Sequence, residues 1–147
     1  SAGAHLALML AGTANVAEFE GNGVHPGVDT SVRACVAIYA PTELAMRSLS
    51  DAIGQLMGPG AAAEDYRAAS PVTYARADFP PTMLIHGMKD ELVPWQASQK
   101  MLEALERAGA AVDLHLFSGQ PHAFDADSGY SRTISNLIDL FLRRYMA

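Results

Sequence analysis

Residues 82–110 read TMLIHGMKDELVPWQASQKMLEALERAGA, and this stretch decides the fold class. Its first six residues form a short apolar run, which is typical of a strand buried on both faces. A polar loop follows, and Pro94 then opens a segment whose apolar side chains recur at helical spacing: Ala97, Met101, Leu102, Leu105 and Ala108. Gly109 supplies a stop for that helix. A strand, a loop and a helix in this order predict one unit of an α/β fold.

The same alternation continues on both sides of this unit. Residues 2–14 are rich in small side chains and predict a helix that packs closely on a sheet, while VRACVAI (32–38) and VDLHLF (112–117) predict two further strands. Residues 42–78 are irregular or weakly helical. The clearest amphipathic helix comes last, with its stripe on Ile134, Leu137, Ile138, Phe141, Leu142 and Tyr145. We therefore expect an α/β chain with a parallel sheet, and since only three strands are evident we expect the remaining strands to precede residue 1.

Composition narrows the function classes. The 147 residues predict a single domain (1–147), half of them apolar and 18% charged. The net charge of -6 comes without a cluster of Lys and Arg, which argues against a nucleic-acid partner. No apolar run approaches the roughly 18 residues of a membrane span, and no targeting segment is visible, so we expect no membrane partner and favour a cytoplasmic location.

The cysteine and most histidines are predicted to be structural. Cys35 lies within the apolar run VRACVAI and is expected to be a buried small hydrophobe. His86 closes the strand TMLIHG and is expected to be a packed, hydrogen-bonded residue of the core, and His5 is expected to be structural. No histidine pair has a spacing typical of metal ligands, so neither a metal nor another cofactor is expected.

Three polar side chains lie where an α/β sheet gathers its functional groups. Asp90 follows the strand TMLIHG, His122 follows the strand VDLHLF, and Ser1 directly precedes the first helix. A serine hydroxyl becomes a nucleophile when a histidine takes its proton, and a carboxylate fixes the tautomer of that histidine. These three residues are therefore a candidate catalytic triad, with Glu91 as the nearest competitor for the acid role.

Three motifs resemble the α/β-hydrolase superfamily. SAGAHLA (1–7) looks like the downstream half of its G-x-S-x-G nucleophile elbow, and GQPHAF (119–124) resembles its histidine loop. Residues 70–105 resemble the acid-loop region of its short-chain acyl-esterase, acetylxylan-esterase and kynurenine-formamidase-like members. The resemblance implies a partial α/β-hydrolase fold and a serine carboxylesterase that hydrolyses short-chain acyl esters. It assigns Ser1 as nucleophile, Asp90 as acid and His122 as base.

The resemblance also implies roles around the triad. The backbone amide of Ala2 would contribute to the oxyanion hole, and Trp95 is a candidate for lining the substrate pocket, with simple packing as its alternative. In this family the elbow strand and a His-Gly-Gly-type loop precede the nucleophile. We therefore expect sequence upstream of Ser1, a complementing N-terminal chain, or a homo-oligomer that covers the open edge of the sheet. The expected substrate is a small-molecule ester.

Three other interpretations remain open. A non-catalytic packing or oligomerisation module would keep the fold without the chemistry. An N-terminal nucleophile hydrolase would use the α-amine of Ser1 as its base, although that scheme requires neither Asp90 nor His122. Another triad hydrolase would act on a formamide, a lactone or a peptide with the same three residues.

Overall fold

The computed structural model describes residues 1–21, 25, 27–46 and 51–146. Its helices are α1 (Ala2–Thr13), α2 (Ala17–Glu20), α3 (Asp51–Met57), α4 (Ala63–Ala68), α5 (Gln96–Ala108) and α6 (Ser128–Met146). Its strands are β1 (Cys35–Ile38), β2 (Thr82–Gly87) and β3 (Val112–Phe117), and short turns of 3-10 helix span Pro71–Tyr74 and Phe124–Ala126. No helix within the described ranges is long and apolar enough to cross a membrane.

The described strands form one parallel sheet in the order β1-β2-β3. The register sets Cys35 beside Thr82 and Thr82 beside Val112, so the three strands begin level with one another. All six residues of the central strand β2 are buried, as expected for a strand that has a neighbour on each side and helices on both faces. The structure thus confirms the predicted α/β class and its partial parallel sheet.

Two hydrophobic clusters cover the two faces of the sheet. Successive side chains of a strand point to opposite faces, and β2 accordingly contributes to both clusters. Leu84 packs with side chains of α1 and α5, namely Leu8, Ala11, Met101 and Leu105. Met83 and Ile85 pack on the other face with Phe124 and with Ile134 and Phe141 of α6. The helices therefore lie on both sides of the sheet and bury it as a continuous core.

The predicted boundaries differ from the observed ones mainly at β1. The strand predicted for residues 32–38 begins only at Cys35, whose amide donates a hydrogen bond to the carbonyl of Pro81 at 2.9 Å. Pro80 and Pro81 precede β2 and have no N–H group to donate, so the ladder does not extend upstream. Gly109 ends α5 in the left-handed conformation, with φ of 84°, as predicted. Part of the irregular region predicted for residues 42–78, namely 47–50, lies outside the described residues.

Small residues let α1 pack closely on the sheet, as predicted, and also on the segment that contains Tyr74 and Phe79. A Cβ atom on Gly12 would lie 2.8 Å from the Cβ of Tyr74 and 3.1 Å from a ring carbon of Phe79. Leu8 and Ala11 of the same helix pack against Ala37 in the sheet. Helix α1 is therefore wedged between β1 and the segment that leads into β2.

A second close approach occurs at the carboxyl end of β2. A Cβ atom on Gly87 would lie 2.5 Å from the carbonyl oxygen of Gln120 and 2.8 Å from that of Pro121. These obstacles are backbone atoms, which cannot rotate away as a flexible side chain can. The loop that follows β3 therefore rests directly on the main chain at Gly87, and the absence of a side chain there determines where the loop lies.

We predict that Gly87→Ala lowers the free energy of unfolding by about 1–3 kcal/mol, because the added methyl group overpacks this contact. The matched control is Gly54→Ala in α3, where the added Cβ meets nothing within 4 Å. Relief of glycine's backbone entropy should make the control neutral or stabilising by about 0.5–1 kcal/mol. Urea titration followed by circular dichroism measures both variants, and equal stability of the two would contradict the close contact.

Cys35 provides a test of the core. Its side chain is 5% exposed, and burial raises the pKa of the thiol to about 11, so the predicted buried hydrophobe is confirmed. At pH about 8, a thiol with that pKa is only about one thousandth thiolate, the reactive form. We therefore predict that N-ethylmaleimide modifies Cys35 slowly in the native protein and rapidly in urea, as measured by mass spectrometry of the Cys35 peptide. Fast native labelling would contradict this packing.

Candidate active site

A hydrogen bond joins the buried carboxylate of Asp90 to His122. Asp90 lies in the loop after β2, and its Oδ1 accepts hydrogen bonds from the backbone amides of Leu92 at 2.9 Å and Val93 at 2.8 Å. Its Oδ2 accepts a hydrogen bond from Nδ1 of His122 at 2.6 Å. The Asp90 side chain is fully buried, whereas that of His122 is 19% exposed. A carboxylate held in this way fixes the imidazole as the tautomer with hydrogen on Nδ1, so that Nε2 can act as a base.

The structure distinguishes Asp90 from its neighbour Glu91. Glu91 is exposed, while the amides that follow Asp90 turn its carboxylate inward towards His122. These amides close a tight turn around Oδ1, a pattern common for Asp in loops. The two residues predicted to supply acid and base are thus in direct contact, and their catalytic roles remain predictions.

His86 lies beneath this pair. It is fully buried, with Nε2 located 2.9 Å from the carbonyl oxygen of Val93 and 3.3 Å from Oδ2 of Asp90. Because a carbonyl can only accept, Nε2 carries the hydrogen, and Nδ1 accepts from the hydroxyl of Ser98 at 2.8 Å. Burial lowers the pKa of His86, although Val93 and Asp90 partly oppose that shift. As predicted, His86 is a packed, hydrogen-bonded residue; it ties β2 to the Asp90 loop and to α5.

Tyr39 packs against the ring of His122, and no sequence motif pointed to it. Its ring centroid lies 4.4 Å from that of the imidazole, and its hydroxyl donates a hydrogen bond to Oδ1 of Asp125 at 2.7 Å. Burial raises the pKa of Tyr39 to about 12, and the carboxylates of Asp125 and Asp90 add to the shift, so the hydroxyl stays protonated as a donor. The available signal was its place, since Tyr39 directly follows a predicted strand at the edge where functional groups gather.

Ser1 also lies at the carboxyl ends of the strands. Its backbone nitrogen donates a hydrogen bond to the carbonyl of Ile38 at 3.1 Å, at the carboxyl end of β1, and its own carbonyl accepts the first bond of α1 from His5 at 2.9 Å. The three predicted triad residues therefore belong to one edge of the sheet. Ala2 occupies the first position of α1, where backbone amides have no partner within the helix.

An apolar cavity of about 250 Å³ opens beside Ser1. Its walls come from α1, from the segment after β1, from α3 and from the Asp90 loop: Ser1, Ala2, His5, Pro41, Leu44, Ala52, Ile53, Leu56, Leu92 and Val93. His5 is fixed on this wall by a contact of 2.8 Å between its Nε2 and the carbonyl oxygen of Ala69. No local sequence pattern predicts this cavity, because the segments that form its walls are distant along the chain.

Trp95 lies in the segment between the Asp90 loop and α5. It is half-buried at the N-terminal boundary of α5 and is not among the residues that line the cavity beside Ser1. Leu92 and Val93, from the same loop, line it instead. A substrate contact for Trp95 remains a prediction. Within residues 1–21, 25, 27–46 and 51–146, no cluster of three His, Cys, Asp or Glu side chains could hold a metal ion.

Comparisons with known proteins identify the family of this chain and several of its relatives. The BD-FAE family model matches residues 1–105. Esterase LipQ of Mycobacterium tuberculosis is 32% identical over 162 residues, which cover 97% of this chain and 36% of that protein. Esterase LipC of the same organism is 28% identical over 98% of this chain and 38% of its own length. The chain thus spans somewhat more than a third of these curated relatives.

Solved structures extend the similarity to the fold. Est2, a thermophilic esterase of Thermogutta terrifontis, superposes with a TM-score of 0.76 at 26% identity, over 97% of this chain and 51% of its own. An acetyl ester-xyloside bifunctional hydrolase of Caldicellulosiruptor lactoaceticus gives a TM-score of 0.84 over 98% of this chain and 54% of its own; at 22% identity that likeness concerns the fold alone. The matched family model, the esterase relatives and the partial parallel sheet together show that this chain belongs to the BD-FAE family, with a carboxylesterase-like α/β-hydrolase fold.

Proposed function

We propose that this chain supplies the catalytic triad of a serine carboxylesterase, with Ser1 as nucleophile, His122 as general base and Asp90 as the acid. One observation carries the proposal: a fully buried carboxylate holds Nδ1 of His122 at 2.6 Å, at the sheet edge where Ser1 begins α1. The esterase relatives and the family support it.

In the first half of the reaction, Oγ of Ser1 attacks the ester carbonyl carbon while Nε2 of His122 takes the hydroxyl proton. The carbonyl π electrons move to the oxygen, and a tetrahedral oxyanion forms. The imidazolium of His122 is stabilised by the carboxylate of Asp90, which stays ionised. Collapse of the oxyanion breaks the bond to the alcohol, which leaves with the proton from His122, and the acyl group remains on Ser1.

In the second half, water replaces the alcohol. Nε2 of His122 removes a proton from a water molecule as it attacks the acyl carbon, and the second tetrahedral intermediate releases the carboxylic acid. The proton returns from His122 to Oγ of Ser1, which restores the triad. Within the described residues, Nε2 of His122 has no hydrogen-bond partner, so it is available for both transfers.

The oxyanion would be stabilised at the N-terminus of α1. The amide of Ala2 directly follows the nucleophile and, as an unpaired amide of the first helical turn, can donate to a developing negative charge. The positive end of the α1 dipole adds to this effect. The amide of Ala2 and the helix dipole would both act electrostatically, and neither requires a movement of the chain during the reaction.

We infer the substrate class from the cavity beside Ser1. Its volume of about 250 Å³ lies below the roughly 300–1,000 Å³ of pockets for drug-sized ligands. Its walls are largely aliphatic, with Leu44 and Val93 buried. These properties favour an ester with a short, uncharged acyl group. Est2 of Thermogutta terrifontis has been solved with propionate and with butyrate bound, which supports the same substrate class for this chain.

We predict that, in the full-length protein, Asp90→Asn lowers kcat for p-nitrophenyl acetate by about 10⁴-fold, because the amide stabilises the wrong tautomer of His122 and not its imidazolium. His122→Ala and Ser1→Ala should reduce kcat at least as much.

The matched control for Asp90 is the adjacent Glu91→Gln, which removes an exposed carboxylate and should leave kcat close to that of the wild type. Loss of activity in Glu91→Gln but not in Asp90→Asn would transfer the acid role to Glu91. Full activity of His122→Ala would overturn the triad altogether. Hydrolysis of formamides, lactones or peptides in place of esters would keep the triad and change the substrate class.

We further predict that kcat/KM is highest for acetyl and butyryl esters of p-nitrophenol and falls for the octanoyl ester. Leu56→Ala should widen the cavity and raise the octanoyl-to-acetyl ratio by about fourfold for each methylene admitted, since burying a methylene contributes about 0.8 kcal/mol. Leu140→Ala in α6 is the control, because both leucines are exposed, by 65% and 68%, and Leu140 is not part of this cavity. If both variants changed the octanoyl-to-acetyl ratio equally, or if kcat/KM did not depend on acyl chain length, the cavity would not be the site that binds the acyl group.

A further inference from the structure

The backbone of Tyr39 is strained. Its φ of 42° lies in the left-handed region, which residues with a bulky aromatic side chain rarely adopt. Such a conformation persists only where the surrounding structure requires it, and it occurs preferentially at functional sites. Here the amide of Tyr39 donates a hydrogen bond to the carbonyl of Ile85 at 2.7 Å, and the next residue, Ala40, is fully buried. The main chain is thus held on both sides of the strained residue.

This conformation places the Tyr39 side chain on the loop that carries His122. The ring lies 4.4 Å from the imidazole, centroid to centroid, with an angle of 52° between the planes, and 6.4 Å from the ring of Phe124. The hydroxyl reaches Oδ1 of Asp125 at 2.7 Å. Tyr39 therefore contacts three of four consecutive residues in and just after the histidine loop, namely His122, Phe124 and Asp125. The loop is strained at the same place, since Ala123 has φ of 58°.

Asp90 alone does not determine the orientation of His122. A hydrogen bond to Nδ1 holds one edge of the imidazole and leaves the ring free to tilt about that bond. An aromatic ring packed against the imidazole, here with an angle of 52° between the planes, restricts this tilt. The two contacts together define both the edge and the plane of the imidazole.

We propose that Tyr39 is a positioning residue for His122, whose ring fixes the plane of the imidazole and whose hydroxyl anchors the histidine loop through Asp125. The inference rests on the proposed role of His122 as the general base. It explains why the protein retains a strained tyrosine at a position where glycine or asparagine would fit the backbone more easily. Tyr39 touches neither the substrate nor the reacting atoms in this scheme, and it acts through His122.

The decisive variant is Tyr39→Asn in the full-length protein. Asparagine tolerates the left-handed backbone, so this variant removes the ring and the hydroxyl with little added strain. We expect kcat for p-nitrophenyl acetate to fall about tenfold or more with KM unchanged, because a general base whose ring plane is not fixed leaves the productive geometry, and misplacement by about 1 Å can cost about 10²-fold in rate. Tyr39→Phe keeps the ring and should restore most of the lost kcat.

The matched control is Tyr130→Asn. Tyr130 belongs to the same aromatic cluster, where it packs edge-on against Phe117 and Phe124 at 5.8 Å and 5.4 Å. Its replacement removes a comparable ring from the cluster without removing the ring on His122. A general loss of packing would reduce stability in both variants, whereas the positioning role predicts a fall in kcat for Tyr39→Asn alone.

A spectroscopic measurement tests the contact independently of activity. The ring current of Tyr39 displaces the chemical shifts of the carbon-bound ring protons of His122 from their values in an unfolded chain, and this displacement should be present in the wild type and in Tyr39→Phe. Its absence in the wild type would overturn the proposal even if Tyr39→Asn did not fold. Unchanged kcat in folded Tyr39→Asn, with His122→Ala inactive, would overturn it as well. If His122→Ala were active, the proposed function would fail first, and the two failures are thereby distinguished.

Discussion

The side chain of Asp90 is fully buried, and a carboxylate can leave water only where other donors replace those that water provides. Two backbone amides of its own loop satisfy Oδ1, and His122 satisfies Oδ2, with His86 close by. These groups come from the Asp90 loop, from the loop after β3 and, for His86, from β2 itself. One desolvated carboxylate therefore brings three separate segments into a single arrangement at the carboxyl end of the sheet.

The same edge contains the conformations that cost the fold free energy. Tyr39 and Ala123 both adopt left-handed backbone conformations, and Gly87 admits the loop main chain at a distance that no side chain would allow. Each of these features moves a part of the histidine loop towards the end of a strand. The hydrophobic clusters on both faces of the sheet supply the stability that offsets this strain. The faces of the sheet therefore have regular hydrophobic packing, and the strained backbone conformations lie at the carboxyl ends of its strands.

His86 lies beside the carboxylate of Asp90 but does not compete with His122 for it. A second imidazole next to Asp90 would share its negative charge if it were protonated, but burial lowers the pKa of His86 and keeps it neutral. The neutral ring donates to the carbonyl of Val93 and accepts from Ser98, so it acts as a structural link. His122, whose side chain is 19% exposed, is the histidine proposed as the general base.

The sequence by itself determined the α/β class, the strands at residues 82–87 and 112–117, the small-residue helix at the N-terminus and the candidate residues Ser1, Asp90 and His122. These features follow from local hydrophobic periodicity and from short motifs, which neighbouring residues encode. It did not determine the role of Tyr39, the cavity beside Ser1 or the position of Trp95 away from that cavity. Those depend on contacts between residues distant along the chain, such as the 2.7 Å bond from Tyr39 to Asp125. Only the tertiary structure could decide them, because the packing of one strand end against another loop leaves no periodic signal in either segment.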